Sequence, residues 1–412
     1  MKSSTILEQI EIPAWVVELE GRSLYAVLQG VKDLRKARGR RYEAGLLLVL
    51  MILAKLAGMK TMAGVAEWVQ LRSEWLGSVL GWSRLRFPCA NTYRYLCEHL
   101  DVAELNQVLG AFFAQLYGSL LPSGEGEVGE SWTVADGIEQ AGQRHLALDG
   151  KSLRGTRRSW PVAQAAQQVL GLYNVSDDYM VQQVAIAGKG HERAAGLQLI
   201  SQLDLQGCLV SADALHTQPK WCEQILAQGG DYLVIAKRNQ SELRAEIALL
   251  FSQPPLPWLP EREATQTNKG HGRLEVRHMR ASAELSDFLA PKWPGVQQVF
   301  QLQRRIWRQG QLTTEVVYGM TSLPVQRISV AALLALVRAH WHIENRSHWR
   351  RDVTLGEDRC KVASPLAPQL LAALNNVVLA LMDYLDVDNM ASQIRRFDAA
   401  PAEALALLIT PL

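Results

Sequence analysis

Three acidic residues stand where metal-dependent chemistry would need them. Asp149 closes the apolar run HLALD and Asp213 closes CLVSAD, each followed at once by a turn or helix signal. Glu344 lies in WHIENRSHWRRD, directly after the apolar helical run AALLALVRAHW. Carboxylates at the C-terminal ends of strands project into a common cleft in open α/β sheets. A single Asp at a strand end is usually a turn residue or a helix cap, but two of them joined by a Glu on a later helix form a stronger constellation. Three carboxylates without a cysteine cluster suit Mg²⁺ or Mn²⁺, which prefer oxygen ligands. Two such ions about 4 Å apart activate an attacking water or hydroxyl and stabilise the leaving oxygen of an in-line phosphoryl transfer.

The same stretch admits other readings. His340, Glu344 and His348 recur at a spacing of four, so a regular helix would line them on one side, with Arg351 close to the same stripe. They, or His216 near Asp213, could ligate zinc or iron, although the pattern is not HExxH and one helix leaves the ion short of a ligand. A solvated, salt-bridged helix end is the bland account. GxSxG, GxxxxGK[ST] and GxGxxG are all absent.

Basic residues cluster around the three carboxylates. Lys151, Arg154, Arg157 and Arg158 follow Asp149 in KSLRGTRR, Lys237 follows the run DYLVIA, and Asn345, Arg346, Arg350 and Arg351 surround Glu344. These, with His340, are candidates for holding phosphates, the alternative for each run being a solvated surface. Arg38, Arg40 and Arg41, in KDLRKARGRR, form a further basic run near the N-terminus.

The elements that must position these residues follow from hydrophobic period. Residues to about 120 carry helical spacing with short Gly- and Ser-containing turns, either a helix-turn-helix type DNA-binding domain or a plain helical bundle. LPSGEGEVGESWT, residues 121–133, is a linker or surface loop. Three strand-like runs then precede helix, strand, helix, strand, helix, which predicts a mixed sheet with helices on its faces. PPLPWLP is an extended connector, and EVRHMRASA, VQQVFQLQRRIWRQG and QLTTEVVYGMTS alternate as antiparallel strands do, with a hairpin turn at Gly310 to Leu312. The expected layout is a helical, DNA-binding unit over 1–125, the first part of an α/β core over 126–251, a β-rich insertion over 252–325, the Glu-bearing helix and the next helix over 326–385, and a C-terminal tail over 386–412.

Size and composition agree with this. The chain has 412 residues, enough for two or three domains, and its net charge of +2 neither demands nor excludes nucleic acid. Five cysteines without a CxxC pair argue against a zinc ribbon or disulfide scaffold and for a reducing, cytoplasmic setting. The acidic N-terminus does not read as an export signal, and the longest apolar run is broken by Lys55, so no membrane span is expected.

LALDGKSLRGT, VSADALHTQ, YLVIAKRNQ, GHGRLEVR and HWHIENRSHWRRDVTLGED together resemble the bacterial insertion-sequence transposases of the ISAs branch, the H-repeat-associated family of the DDE class. The similarity begins with GRRYEAGLLLVLMILAKLAG and AGVAEWV and spans nearly the whole chain. The resemblance implies a ribonuclease-H-like catalytic core in which Asp149, Asp213 and Glu344 are the catalytic, metal-holding triad, with two Mg²⁺ or Mn²⁺ ions. It implies double-stranded DNA as partner, both element ends and target, with cutting and strand transfer by a homodimer on paired ends. A β insertion before the Glu helix is a feature of related transposases. A catalytically silent DNA-binding relative, or a nuclease without strand transfer, would keep the same residues. The chain departs from the family at GKGHE (Gly188 to Glu192) where relatives have Lys-Ser-Asn-Glu, at PCANTYRYL, and at Arg350 and Arg351, where many relatives are apolar; none of these touches the triad.

Overall fold

Apolar residues that occupy every side of a helix force it into the interior, as they do over Ala44–Leu56. The computed structural model describes residues 23–81, 86–118, 144–158, 163–186, 188, 190–254, 259, 262–270, 272–362 and 364–411. Among the described residues six α-helices come first: α1 (Leu24–Gln29), α2 (Ala44–Leu56), α3 (Met62–Leu71), α4 (Ser73–Val79), α5 (Ala90–Glu98) and α6 (Val102–Leu116). All of α2 is buried, Lys55 included. Side chains of Ser23, Thr61 and Asp101 accept hydrogen bonds from the first-turn amides of α1, α3 and α6, satisfying donors that a helix start leaves open. The linker expected at 121–133 lies outside the described residues.

Strands β1 (Arg144–Leu153), β2 (Gln167–Asn174) and β3 (Tyr179–Ile186) form an antiparallel meander. Helix α7 (Glu192–Ser201), β4 (Cys208–Ala212), α8 (Pro219–Ala227), β5 (Asp231–Ala236) and α9 (Ser241–Ser252) follow in alternation. Strand β4 is buried at all five positions, as a strand covered on both faces must be, and it pairs in parallel with both β1 and β5. Then come β6 (Glu263–Gly270), β7 (Arg273–Ser282), the one-turn α10 (Ser286–Leu289), β8 (Gln298–Arg308) and β9 (Gln311–Thr321). The β-rich block does interrupt the alternation of helix and strand, but it makes no separate sheet. Strand β9 pairs with β5, giving one nine-stranded sheet in the order β3-β2-β1-β4-β5-β9-β8-β7-β6.

Helix α11 (Val330–Ala339), a π-helical turn (Ile343–His348) and α12 (Trp349–Val353) carry the Glu344 region, and α13 (Ala367–Tyr384), α14 (Met390–Ala399) and α15 (Pro401–Ile409) complete the chain. Of the tail expected over 386–412, the described residues fold back: Leu405, Leu407, Leu408 and Ile409 of α15 are buried and join the main core. That core takes in α1, α2, α6 and α13 together with Leu146, Leu148, Leu170 and Leu172 of the sheet, so the N-terminal helices and the strands share one interior.

Two local readings need correction. Strand β6 escaped the sequence because EATQTNKG is mostly exposed and lacks an apolar face. The hairpin before β9 turns at Gln309 and Gly310, one residue earlier than expected, with both at positive φ as a two-residue turn demands. Among the described residues no helix is long and apolar enough to cross a membrane.

The contact between α6 and β3 is close enough to test. A Cβ built on Gly110 would lie 2.0 Å from the Val181 carbonyl oxygen, so backbone meets backbone with no room for a methyl. Gly110→Ala should lower the urea midpoint by an amount equivalent to about 1–3 kcal/mol; an unchanged midpoint would show that α6 does not seat on β3.

Candidate active site

Pairing registers bring two of the carboxylates together. Strand β1 pairs with β4 only from Arg144 to Leu148, ending at Leu148 opposite Ala212. Asp149 and Asp213 are the next residues on these neighbouring strands, whose spacing is about 4.8 Å. Asp149 does not end its own strand as the sequence suggests, because Gly150 to Leu153 continue against β2. It is the end of β4, not of β1, that opens the site.

Side-chain alternation puts His145, Ala147, Asp149 and Lys151 on one sheet face. The segment bearing Glu344 packs there, with Ile343 in a buried cluster with Ala147 and Tyr173. Ser211 ties the layers together: its hydroxyl lies 2.7 Å from His145 Nε2 and 2.8 Å from His340 Nδ1. Burial pushes His145 down to about 3 and His340 down to about 4, so both rings are neutral at pH 7, and the Ser211 hydroxyl, which also lies 3.4 Å from the Leu146 carbonyl oxygen, has one proton and two lone pairs to share among the three. The expected stripe of His340, Glu344, His348 and Arg351 is not formed. The helix breaks after Ala339 and resumes as a π turn, a local winding frequent at functional sites, and this changes the phase. His340 turns to Ser211, and His348 Nδ1 faces Asp149 Oδ2 at 3.5 Å. Zinc ligation by His340, Glu344 and His348 together does not fit this arrangement.

Acidic groups crowd the site. Burial, and then the charges of Glu344, Asp213 and Glu192, push Asp149 up to about 7, against one opposing backbone hydrogen bond at Gly150. Glu344 is also raised by burial, with Lys237 acting in the other direction. Such crowding raises a carboxyl, and a hard divalent cation among the same oxygens would relieve it. Among the described residues no three His, Cys, Asp or Glu side chains stand close enough to grip an ion as they are, so ligation would draw the carboxylates inward. In donor type and charge the residues fit Mg²⁺ or Mn²⁺.

The basic candidates divide. Lys237 is exposed and acts on Glu344; Asn345, Arg157 and Arg158 are exposed, and Arg154 is exposed with Asp358 3.5 Å away. Arg346 is exposed while paired with Asp178, and Arg350 is bound through both terminal nitrogens to Asp383. Arg351 and Lys151 point inward and are not available to phosphates. Arg351 is fully buried with its Nε 3.1 Å from both Glu357 carboxylate oxygens, and Lys151 meets Asp352 at 2.6 Å and Glu357 at 3.8 Å. Their place on α12 and on the inner sheet face decides this, and WRRD gives no hint of it. In the N-terminal run Arg38 and Arg41 are exposed, whereas Arg40 bonds the carbonyls of Asp33 and Arg35. Glu192, the last residue of the GKGHE segment, whose role the sequence leaves open, acts by its charge on Asp149.

The raised Asp149 has a pH consequence. Its folded state holds a proton up to about pH 7 while the unfolded chain releases it near 3.8, so metal-free stability is lost as pH rises between those values. The loss is at most about 4 kcal/mol, at 1.36 kcal/mol for each pH unit. Melting in EDTA should fall between pH 5 and pH 8 more steeply for wild type than for Asp149→Asn; parallel curves for the two proteins would refute the crowding.

A family model described as "Transposase DDE domain" matches residues 140–381, and another described as "DDE_Tnp_1-associated" matches residues 25–113. "Putative protein YbfL" and "H repeat-associated putative transposase YhhI", both of Escherichia coli K12, are each 28% identical over 253 residues, covering 58% of this chain and 63% of theirs. "Putative transposase YncI" of Escherichia coli O157:H7 is 21% identical over 364 residues, covering 88% of this chain and 87% of its own. The alignments thus span just under two thirds of the first two relatives. The 140–381 match covers more than half of the chain and contains Asp149, Asp213 and Glu344, and the chain belongs to the transposase DDE-domain family.

Proposed function

We propose that the chain is a DDE transposase that cuts double-stranded DNA at the ends of an insertion sequence and joins the freed ends to a target. The observation that carries this is the end of the β1/β4 ladder, which leaves Asp149 and Asp213 side by side beneath the segment holding Glu344. The strand order β3-β2-β1-β4-β5, with β1, β4 and β5 parallel, supports a ribonuclease-H-like core. Asp149, Asp213 and Glu344 would hold divalent Mg²⁺ or Mn²⁺, a pair of which lowers the barrier to in-line attack on a phosphate by stabilising the entering and leaving oxygens.

The protein's own groups do the rest. Lys237, exposed beside Glu344, supplies a cation for the scissile or adjoining phosphate, and Arg154, Arg157, Arg158 and Asn345 supply exposed contacts for the flanking backbone. Arg346 joins them by exchanging Asp178 for a phosphate. Arg38 and Arg41 extend a basic surface on the N-terminal helices for sequence-distant DNA. Hydrolysis breaks the P–O3′ bond at the element end, leaving a 3′-hydroxyl there and a 5′-phosphate on the flanking strand; attack of that hydroxyl on a target phosphate forms a new phosphodiester and releases the target strand's own 3′-hydroxyl. Two copies, one on each element end, would make the assembly.

A duplex carrying the DNA sequences that flank the gene, incubated with Mn²⁺, tests the proposal. Wild type should nick at the element boundary and yield joined products, and Asp149→Ala, Asp213→Ala and Glu344→Ala should each cut at least about 10³-fold more slowly, a loss of about 4 kcal/mol of barrier lowering. Nicks without joined products would identify a nuclease. Salt-sensitive binding of this duplex without nicks would identify a silent DNA-binding relative.

A further inference from the structure

We propose that Glu192 is a fourth carboxylate of this site, reaching a divalent cation from the opposite face of the sheet through the gap left by Gly150, with His216 as the positioning residue that aims it. The inference rests on the metal-dependent reading of Asp149, Asp213 and Glu344.

The geometry begins at Gly150. Its absent Cβ would point away from the face that Asp149 occupies, since neighbouring residues of a strand alternate. Glu192 Oε1 sits 2.4 Å from where that Cβ would be, so the carboxylate fills the place of a side chain beside the Asp149 backbone. A glycine inside a strand often marks such a close approach. Helix α7 begins at Glu192, immediately after a segment in which Gly188 and Gly190 have φ of 156° and 92°. That path delivers the first turn of α7 under the open end of the β1/β4 ladder, where the Glu192 charge acts on both Asp149 and Asp213.

His216 is the second, independent observation. It is 2% exposed, and neither ring nitrogen has a hydrogen-bond partner among the described residues. Its Nε2 faces Glu192 Oε1 at 3.9 Å, just beyond bonding reach. A Cβ on Gly196 would lie 2.7 Å from the ring, so α7 is also glycine at the point where the imidazole must fit. A buried donor with no partner is costly and is ordinarily satisfied. A small movement of the Glu192 carboxylate closes this hydrogen bond and fixes the carboxylate, as outer groups fix metal-ligating carboxylates. An acid serving only the positive end of a helix would sit in solvent; this one is 26% exposed and pressed against strand backbone.

Titration calorimetry of MnCl₂ into the full chain without DNA provides the test, together with melting curves. Glu192→Gln should bind Mn²⁺ about tenfold more weakly than wild type, and His216→Leu should show a smaller loss in the same direction. In EDTA, Glu192→Gln should melt at or above wild type, because it removes one of the crowded charges, while gaining less from added Mn²⁺. Wild-type Mn²⁺ affinity in Glu192→Gln, or a lower melting point in EDTA with an undiminished gain from Mn²⁺, would make Glu192 a structural residue and overturn the proposal. Asp149→Asn separates the two levels. If it loses Mn²⁺ while Glu192→Gln does not, only the fourth carboxylate falls; if both keep wild-type affinity, the metal-binding reading of the triad falls as well.

Discussion

A buried ion pair between Arg351 and Glu357 holds the Glu344 segment on the sheet. Arg351 is fully buried, and its guanidinium also reaches Gln183 of β3 and Asn376 of α13. Glu357 takes a hydrogen bond from Asn375, which in turn accepts one from Lys55 of α2. Burial works against an ionised Glu357, but Arg351, Lys151 and Asn375 outweigh it and hold its carboxyl below the usual range. A pair of this kind adds little net stability over an apolar replacement, yet removing one partner leaves a buried charge at a cost of about 3–5 kcal/mol. The network therefore acts less as glue than as a register mark: α2, β1, β3, α12 and α13 must all be in place before it closes.

This register mark frees the site to be uncomfortable. The charges of Glu344, Asp213 and Glu192 act against that of Asp149, and a loosely held helix would relieve the strain by moving away. Two anchors prevent that: Ser211 grips His340 at the near end of the segment, and Arg351 is locked at the far end. The π turn between them sets the direction of Glu344. Crowded acidic groups held by well-satisfied surroundings are a form of preorganisation, in which stability elsewhere supports an arrangement that is locally unfavourable.

Much of the fold could be read from residue order because the signals are local. HLAL, CLVSA and DYLVIA are short apolar runs bounded by turns, and they are β1, β4 and β5 in the structure. The alternation in the block after Ser252 likewise appears as β7, β8 and β9. Polar β6 carried no such signal, and its pairing with β7 makes it a strand. The return of α14 and α15 was hidden because alanine-rich DAAPAEALALL looks the same whether it trails in solvent or packs against α2.

By itself the sequence determined the apolar runs that become β1, β4 and β5 and placed Asp213 just past the end of β4, since those depend on period and neighbours along the chain; that β1 runs on past Asp149 came from its pairing with β2. Tertiary structure decided which charges face the site. Arg350 and Arg351 are adjacent in sequence, yet one reaches Asp383 and the other is sealed against Glu357, because helix phase after a π turn is not written in composition. Glu192 became part of the acidic cluster only through Gly150, since an empty Cβ position matters when something from another element occupies it.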